Sequence, residues 1–67
     1  ANILYGPLKK LAPLFSLIIR PNAFLILSGL LNEQIPYIIN RYNKYGFKER
    51  KIFCLNDWGA IIMKRNP

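Results

Sequence analysis

Few side chains in this sequence can do chemistry, and the first is Asn2. It interrupts an apolar opening, Ala1-Asn2-Ile3-Leu4, just ahead of Tyr5-Gly6-Pro7. That placement predicts an amide near the end of a buried strand that turns straight into a helix. Open α/β sheets hold their ligands outside the carboxyl ends of such strands. The alternative for Asn2 is a strand-end amide that satisfies loop backbone. Tyr5 follows in the loop, where a phenol either lines a ligand channel or packs. Ser28-Gly29 closes the next apolar run and is expected on the same side of the sheet. It either shapes a pocket or makes a plain strand-to-helix turn.

Other chemistries lack their residues. The chain has no histidine and one cysteine, Cys54, so neither a Cys/His zinc site nor an internal disulfide is available. Cys54 has no base near it in sequence and reads as buried and inert. Glu33, Glu49 and Asp57 are too scattered for a calcium cage. The formal charge is +7, from ten Lys and Arg against three acids. Only Lys48, Arg50 and Lys51 cluster, and Glu49 interrupts them, so the pattern is that of solvated outer faces rather than a phosphate-binding surface. A chain of 67 residues buries only about 60% of its unfolded surface and has little stability to spare. The sequence opens inside an apolar run with no charged leader before it. The expectation is a C-terminal piece of a longer protein, without a signal or transit peptide.

The elements that position these residues follow from spacing. Leu4, Leu8, Leu11, Phe15 and Ile18 recur at three- and four-residue steps, with Ala12 and Ile19 beside them, which predicts an amphipathic helix from Pro7. Pro13 falls inside it and should bend it. Arg20-Pro21-Asn22 breaks the helix. Ala23 to Leu27 is a short continuous apolar run, the pattern of a strand covered on both faces in a parallel sheet. Strand, helix and strand make a right-handed βαβ unit. Leu30 to Tyr45 reads as a second helix with Asn32 as N-cap, an inward stripe of Leu31, Ile35, Ile38, Ile39 and Tyr42, and Gly46 just past its end. Phe47 to Leu55 and Ala60 to Arg65 are strands joined through Asn56-Asp57, hence an antiparallel hairpin, with Trp58 packing on it. The fold class is α/β, in the order β-α-β-α-β-β.

Ala1-Asn2-Ile3-Leu4, Gly6-Pro7-Leu8, Leu11-Ala12-Pro13 and Leu27-Ser28-Gly29-Leu30-Leu31, together with Trp58 and Lys64-Arg65, resemble the C-terminal part of the bacterial ribosomal protein L11 methyltransferases. The resemblance covers residues 1–67. It implies the C-terminal half of a class I methyltransferase, a Rossmann-like sheet of seven strands whose last strand is antiparallel. It implies S-adenosyl-L-methionine as cofactor and ribosomal protein L11 as substrate, methylated on lysine and N-terminal amines in the cytoplasm. The family's glycine-rich cofactor loop, its ribose-binding acid and its N-terminal substrate domain have no counterpart here. The expectation is that the piece is inactive alone and that the N-terminal half of the enzyme is its partner.

On this resemblance Asn2 is the catalytic and cofactor-binding residue, and Tyr5, Ser28 and Gly29 border the substrate. Methyl transfer needs a neutral amine, whereas a free lysine with pKa about 10.4 is mostly protonated near neutrality. An amide at Asn2 can orient the amine or the methionyl amino group by accepting a hydrogen bond. A carboxylate there would hold the unreactive ammonium more firmly. Two other readings compete. Leu11 to Leu31 is largely apolar, as in a small membrane protein, but Arg20, Pro21 and Asn22 sit at its middle. Tyr42, Tyr45 and Phe47 beside Lys44, Lys48 and Arg50 would be the face of a small basic nucleic-acid-binding module. No membrane partner is expected, and the scattered charge argues against nucleic acid.

Overall fold

A computed structural model describes residues 5–67. The elements are α1 (Tyr5–Ile18), β1 (Phe24–Leu31), a 3-10 turn (Asn32–Gln34), α2 (Ile35–Asn43), β2 (Phe47–Leu55) and β3 (Trp58–Arg65). The strand expected at Ala1 to Leu4, and Asn2 with it, lie outside the described residues. From Tyr5 onward the order is the expected one, but several boundaries differ.

Helix α1 begins at Tyr5, with Pro7 in its first turn, and runs unbroken through Pro13. Proline at 13 has no N–H to offer the Lys9 carbonyl one turn back. That carbonyl instead accepts from Arg41 Nε at 3.1 Å. The neighbouring Leu8 carbonyl accepts from the Tyr42 hydroxyl at 2.7 Å. Ser16 Oγ donates to the Pro13 carbonyl at 2.6 Å. Arg41 therefore serves the carbonyl that the proline deprives of its donor, and its neighbour Tyr42 adds a bond to the carbonyl before it. Asn22, at φ 69, turns the chain back into β1.

Strand β1 does not end at Leu27. Ser28 and Gly29 form a bulge, two residues opposite Ala60, and the strand resumes at Leu30 and Leu31. Gly29 takes φ 73, which its lack of a side chain permits. The second helix is correspondingly shorter than expected. Asn32 is not an N-cap but the first residue of the 3-10 turn, and its side-chain amide donates to the Asn56 carbonyl at 2.7 Å. Gly46, at φ 89, closes α2 as expected.

The sheet order is β1-β3-β2, with both pairings antiparallel. The expected hairpin is present. Among the described residues, however, β1 pairs only with antiparallel β3. The described residues cover it on one face only: Phe24 and Ile26 are 60% and 66% exposed on the face away from the helices. Because β1 and β2 both oppose β3, they run parallel to each other.

Both helices cover one face of the sheet. Ala12, Leu27, Leu30, Ile35, Ile38, Tyr42, Phe47, Ile61 and Met63 form the buried core. Tyr42 sits between Phe15 and Phe47, with ring centroids 6.4 and 5.7 Å away. Ile18, expected inward, is exposed. The far part of the hairpin projects past the helices, so Phe53, Leu55 and Trp58 are open to solvent and Trp58 does not pack as expected. Cys54 is exposed for the same reason, not buried. No described helix is long and apolar enough to cross a membrane, and Leu11 to Leu31 is divided between α1, the Asn22 turn and β1.

Arg65 fastens the end of the chain. Its guanidinium donates to the Ser16 carbonyl at 3.1 Å and the Gly46 carbonyl at 3.3 Å, and it lies over the Phe47 ring at 5.6 Å. A Cβ at Gly46 would overlap that guanidinium, at a φ that side chains avoid. Gly46→Ala should therefore cost about 1–2 kcal/mol, chiefly through the backbone conformation, read as a lower denaturation midpoint in urea. A loss under about 0.5 kcal/mol would refute this knot. Burial pushes the Tyr42 phenol up to about 12 from 10.0, against a smaller opposing effect of Arg41. The folded state thus favours the neutral phenol. Its contribution is whole below pH 10 and is lost as pH climbs toward about 12. Tyr42→Phe should lower stability by about 1 kcal/mol near neutrality and flatten this alkaline decline in pH-dependent unfolding.

Candidate functional site

The carboxyl end of β1 hands directly to the 3-10 turn and α2, and the start of α1 lies beside them. Tyr5, Glu33, Gln34 and Tyr37 line a cleft of about 460 Å³ between these elements. A second recess, lined by Tyr5, Lys9, Tyr37, Asn40, Arg41 and Lys44, shares both tyrosines. The two recesses meet at these tyrosines, with a carboxylate lining one and three cations lining the other.

Local chemistry fixes each wall. Gln34 turns back so that its Oε1 accepts from the Leu31 N–H at 3.2 Å, half of a capping box. Asn32 anchors the turn to the hairpin, through its own N–H to the Asp57 carbonyl at 2.9 Å and its amide to Asn56. Pro36, at the start of α2, needs no hydrogen-bond partner there. Tyr37 stands one turn after Glu33 on the same helix face and is 65% exposed. Arg41 is held over the Tyr45 ring at 5.0 Å while it serves the Lys9 carbonyl. The Arg41 and Tyr42 bonds set the approach of α1 to α2, and with it the position of Tyr5.

Chemically the cleft offers two phenol rings, a carboxylate and a carboxamide. Aromatic faces attract a cation and oxygen acceptors bind N–H groups, so the set suits an amine. Among the described residues no cluster of metal-ligating side chains occurs.

Of the residues singled out by sequence, Tyr5 reaches this cleft. Ser28 and Gly29 are exposed in the bulge and do not line it; they precede the end of β1 rather than form it. Asn2 lies outside the described residues. Glu33, Gln34 and Tyr37 escaped the sequence reading as site residues. The signal available in the sequence is the four-residue spacing of Glu33 and Tyr37, which puts both on one face at a helix start.

Comparison with known proteins gives the chain its relatives. A family model described as Ribosomal protein L11 methyltransferase (PrmA) matches residues 1–66. The ribosomal protein L11 methyltransferase of Hydrogenovibrio crunogenus is 48% identical over 61 residues, covering 91% of this chain and 21% of that protein. That of Shewanella pealeana is 49% identical over 61 residues, 91% of this chain and 20% of that protein. That of Geotalea daltonii is 33% identical over 67 residues, 100% of this chain and 21% of that protein. No solved structure matches. The chain spans about a fifth of the length of these curated relatives. It belongs to the ribosomal protein L11 methyltransferase family.

Proposed function

We propose that this chain is the acceptor-side, C-terminal portion of a class I methyltransferase catalytic domain. The whole enzyme transfers methyl groups from S-adenosylmethionine to lysine and N-terminal amines of ribosomal protein L11 in the cytoplasm. The family match over residues 1–66 carries this reading. The sheet supports it: two mutually parallel strands flank an antiparallel last strand, as expected of the end of such a sheet. The relatives' name, ribosomal protein L11 methyltransferase, supports the acceptor.

The described residues fit one end of the cofactor. Tyr5 and Tyr37 offer ring faces to a sulfonium or an incoming amine, and Glu33 and Gln34 offer acceptors beside them. When bound, S-adenosylmethionine supplies the methyl group as a sulfonium. The nucleoside end would be held elsewhere in the enzyme, because the four glycines of this chain are isolated and make no glycine-rich loop.

Asn2 precedes Tyr5, the first residue of the cleft, by three peptide units. From there its amide oxygen would hold an N–H of the amine and keep the lone pair turned toward the methyl group. Tyr5 would border the entering side chain. Fixing the amine at attack distance in a water-poor site is the gain such groups provide.

The test is a chimera in which this chain replaces the matching stretch of the Hydrogenovibrio enzyme. The chimera should methylate ribosomal protein L11, while the 67-residue chain alone should not. Asn2→Ala in the chimera should lower turnover by roughly 100-fold with little change in thermal midpoint. Unchanged turnover and cofactor affinity in that variant would overturn the assignment of Asn2.

A further inference from the structure

Each helix brings a tyrosine and then cations to the groove between them. On α1, Tyr5 is followed one turn later by Lys9. Along α2 and its C-cap, Tyr37 is followed by Asn40, Arg41 and Lys44 on one face. The groove therefore changes sign along its length. Glu33 lines it on one side of the two tyrosines, and Lys9, Arg41 and Lys44 line it on the other.

The positive end is a recess of about 290 Å³. Arg41 is half-buried there, and its partners are neutral. Its Nε donates to the Lys9 carbonyl at 3.1 Å, and its guanidinium lies 5.0 Å from the centre of the Tyr45 ring. A carbonyl and a ring orient the guanidinium without cancelling its charge. Among the described residues no acidic side chain lines this recess. The basic run on β2 differs, since Glu49 lies within Lys48 to Lys51. Lys9 and Lys44 are exposed, and the Asn40 carboxamide adds a neutral N–H donor. Three cations without an acid among them, one already oriented, are the donors that a carboxylate or a phosphate takes.

A nucleic-acid strand fits the groove poorly. Passing on along it, the strand would bring its next phosphates against Glu33, and like charges brought together oppose binding. A polypeptide can present opposite charges in turn. From Tyr37 to Lys44 the helix rises about 10 Å, which an extended peptide spans in about three residues. We propose that the groove reads the acceptor protein around its amine. With the amine in the cleft at Tyr5 and Tyr37, the recess of Lys9, Asn40, Arg41 and Lys44 takes an Asp or Glu about two to four residues away. Amines with a carboxylate at that spacing are the better acceptors. The identity of the acceptor rests on the proposed function; the preference of the recess for a carboxylate does not.

The test compares forms of ribosomal protein L11 in the chimera. Glu, Gln or Lys is placed at the third position before or after a methylated lysine. On at least one side the Glu form should have a KM about fivefold below that of the Gln form, and the Lys form a higher one, at equal kcat. The difference should shrink as salt is raised. Lys9→Gln with Lys44→Gln should abolish it. Lys48→Gln, which removes a charge outside the groove, should not. Equal KM for the Glu and Gln forms on both sides, or a preference that survives the double variant, refutes the proposal. If the chimera methylates none of the forms, their equilibrium binding to it decides. A Glu preference lost in the double variant upholds the recess and counts against the functional reading, and no preference refutes the recess. A single-stranded oligonucleotide that binds through Lys9 and Lys44, with no preference among the L11 forms, assigns the recess to phosphate and also refutes the proposal.

Discussion

One missing N–H governs this structure. Pro13 cannot donate to the Lys9 carbonyl, and an exposed helix would hand that carbonyl to water. Here it faces α2, so the acceptor is served by Arg41, and the adjacent Leu8 carbonyl by the Tyr42 hydroxyl. The Arg41 bond is exposed, where water can replace it, and the Tyr42 bond is half-buried, where losing the donor would cost about 1–3 kcal/mol. Together they fix one helix against the other. Hydrophobic packing alone would tolerate sliding; two hydrogen bonds from adjacent residues to adjacent carbonyls do not. The wall of the cleft that Tyr5 contributes is therefore set by chemistry one to two turns further along α1. A residue type expected only to bend a helix becomes the reason that the helix has a defined partner.

A second constraint comes from chain order. β3 is the last strand in sequence and the central one in space, so β1 and β2 do not pair with each other. The hairpin can form locally, but β1 must wait for residues more than 25 positions further along the chain. The closure is secured at both ends. Arg65 ties the end of β3 to the last turn of α1 and to the α2–β2 turn, and Asn32 ties the hairpin turn to the end of β1. These clamps hold the carboxyl end of β1, and with it Glu33 and Gln34, in register with the sheet.

Much of this was legible in the sequence because it depends on local spacing. The α1 stripe, the Arg20-Pro21-Asn22 break, Gly46 and the hairpin through Asn56-Asp57 each rest on a few neighbouring residues. The misreadings come from tertiary context. Ser28-Gly29 is strong turn chemistry, and only the register against Ala60 turns it into a bulge within a longer strand. Asn32 has the composition of an N-cap, but the hairpin turn competes for its side chain and wins. Cys54 and Trp58 are apolar enough to be buried, yet the helices are too short to cover the hairpin's far end. The apolar run at β1 was read as covered on both faces; the described residues cover one. At the site, Tyr5 was found because it adjoins the opening motif. Glu33, Gln34 and Tyr37 were not, since their convergence with Tyr5 requires the packing of α1 on α2.

The uncovered face gives that misreading a physical meaning. A strand carrying Phe24 and Ile26 on its open side has the pattern of the interior of a sheet, not of its rim. Burying those two side chains would contribute about 1.5–3 kcal/mol each, which matters to a chain this small. At its carboxyl end the same strand hands over to the turn that bears Glu33 and Gln34, which line the cleft with Tyr5 and Tyr37. β1 thus carries the open apolar face along its length and one wall of the cleft at its end, so a change in its register against β3 would move both.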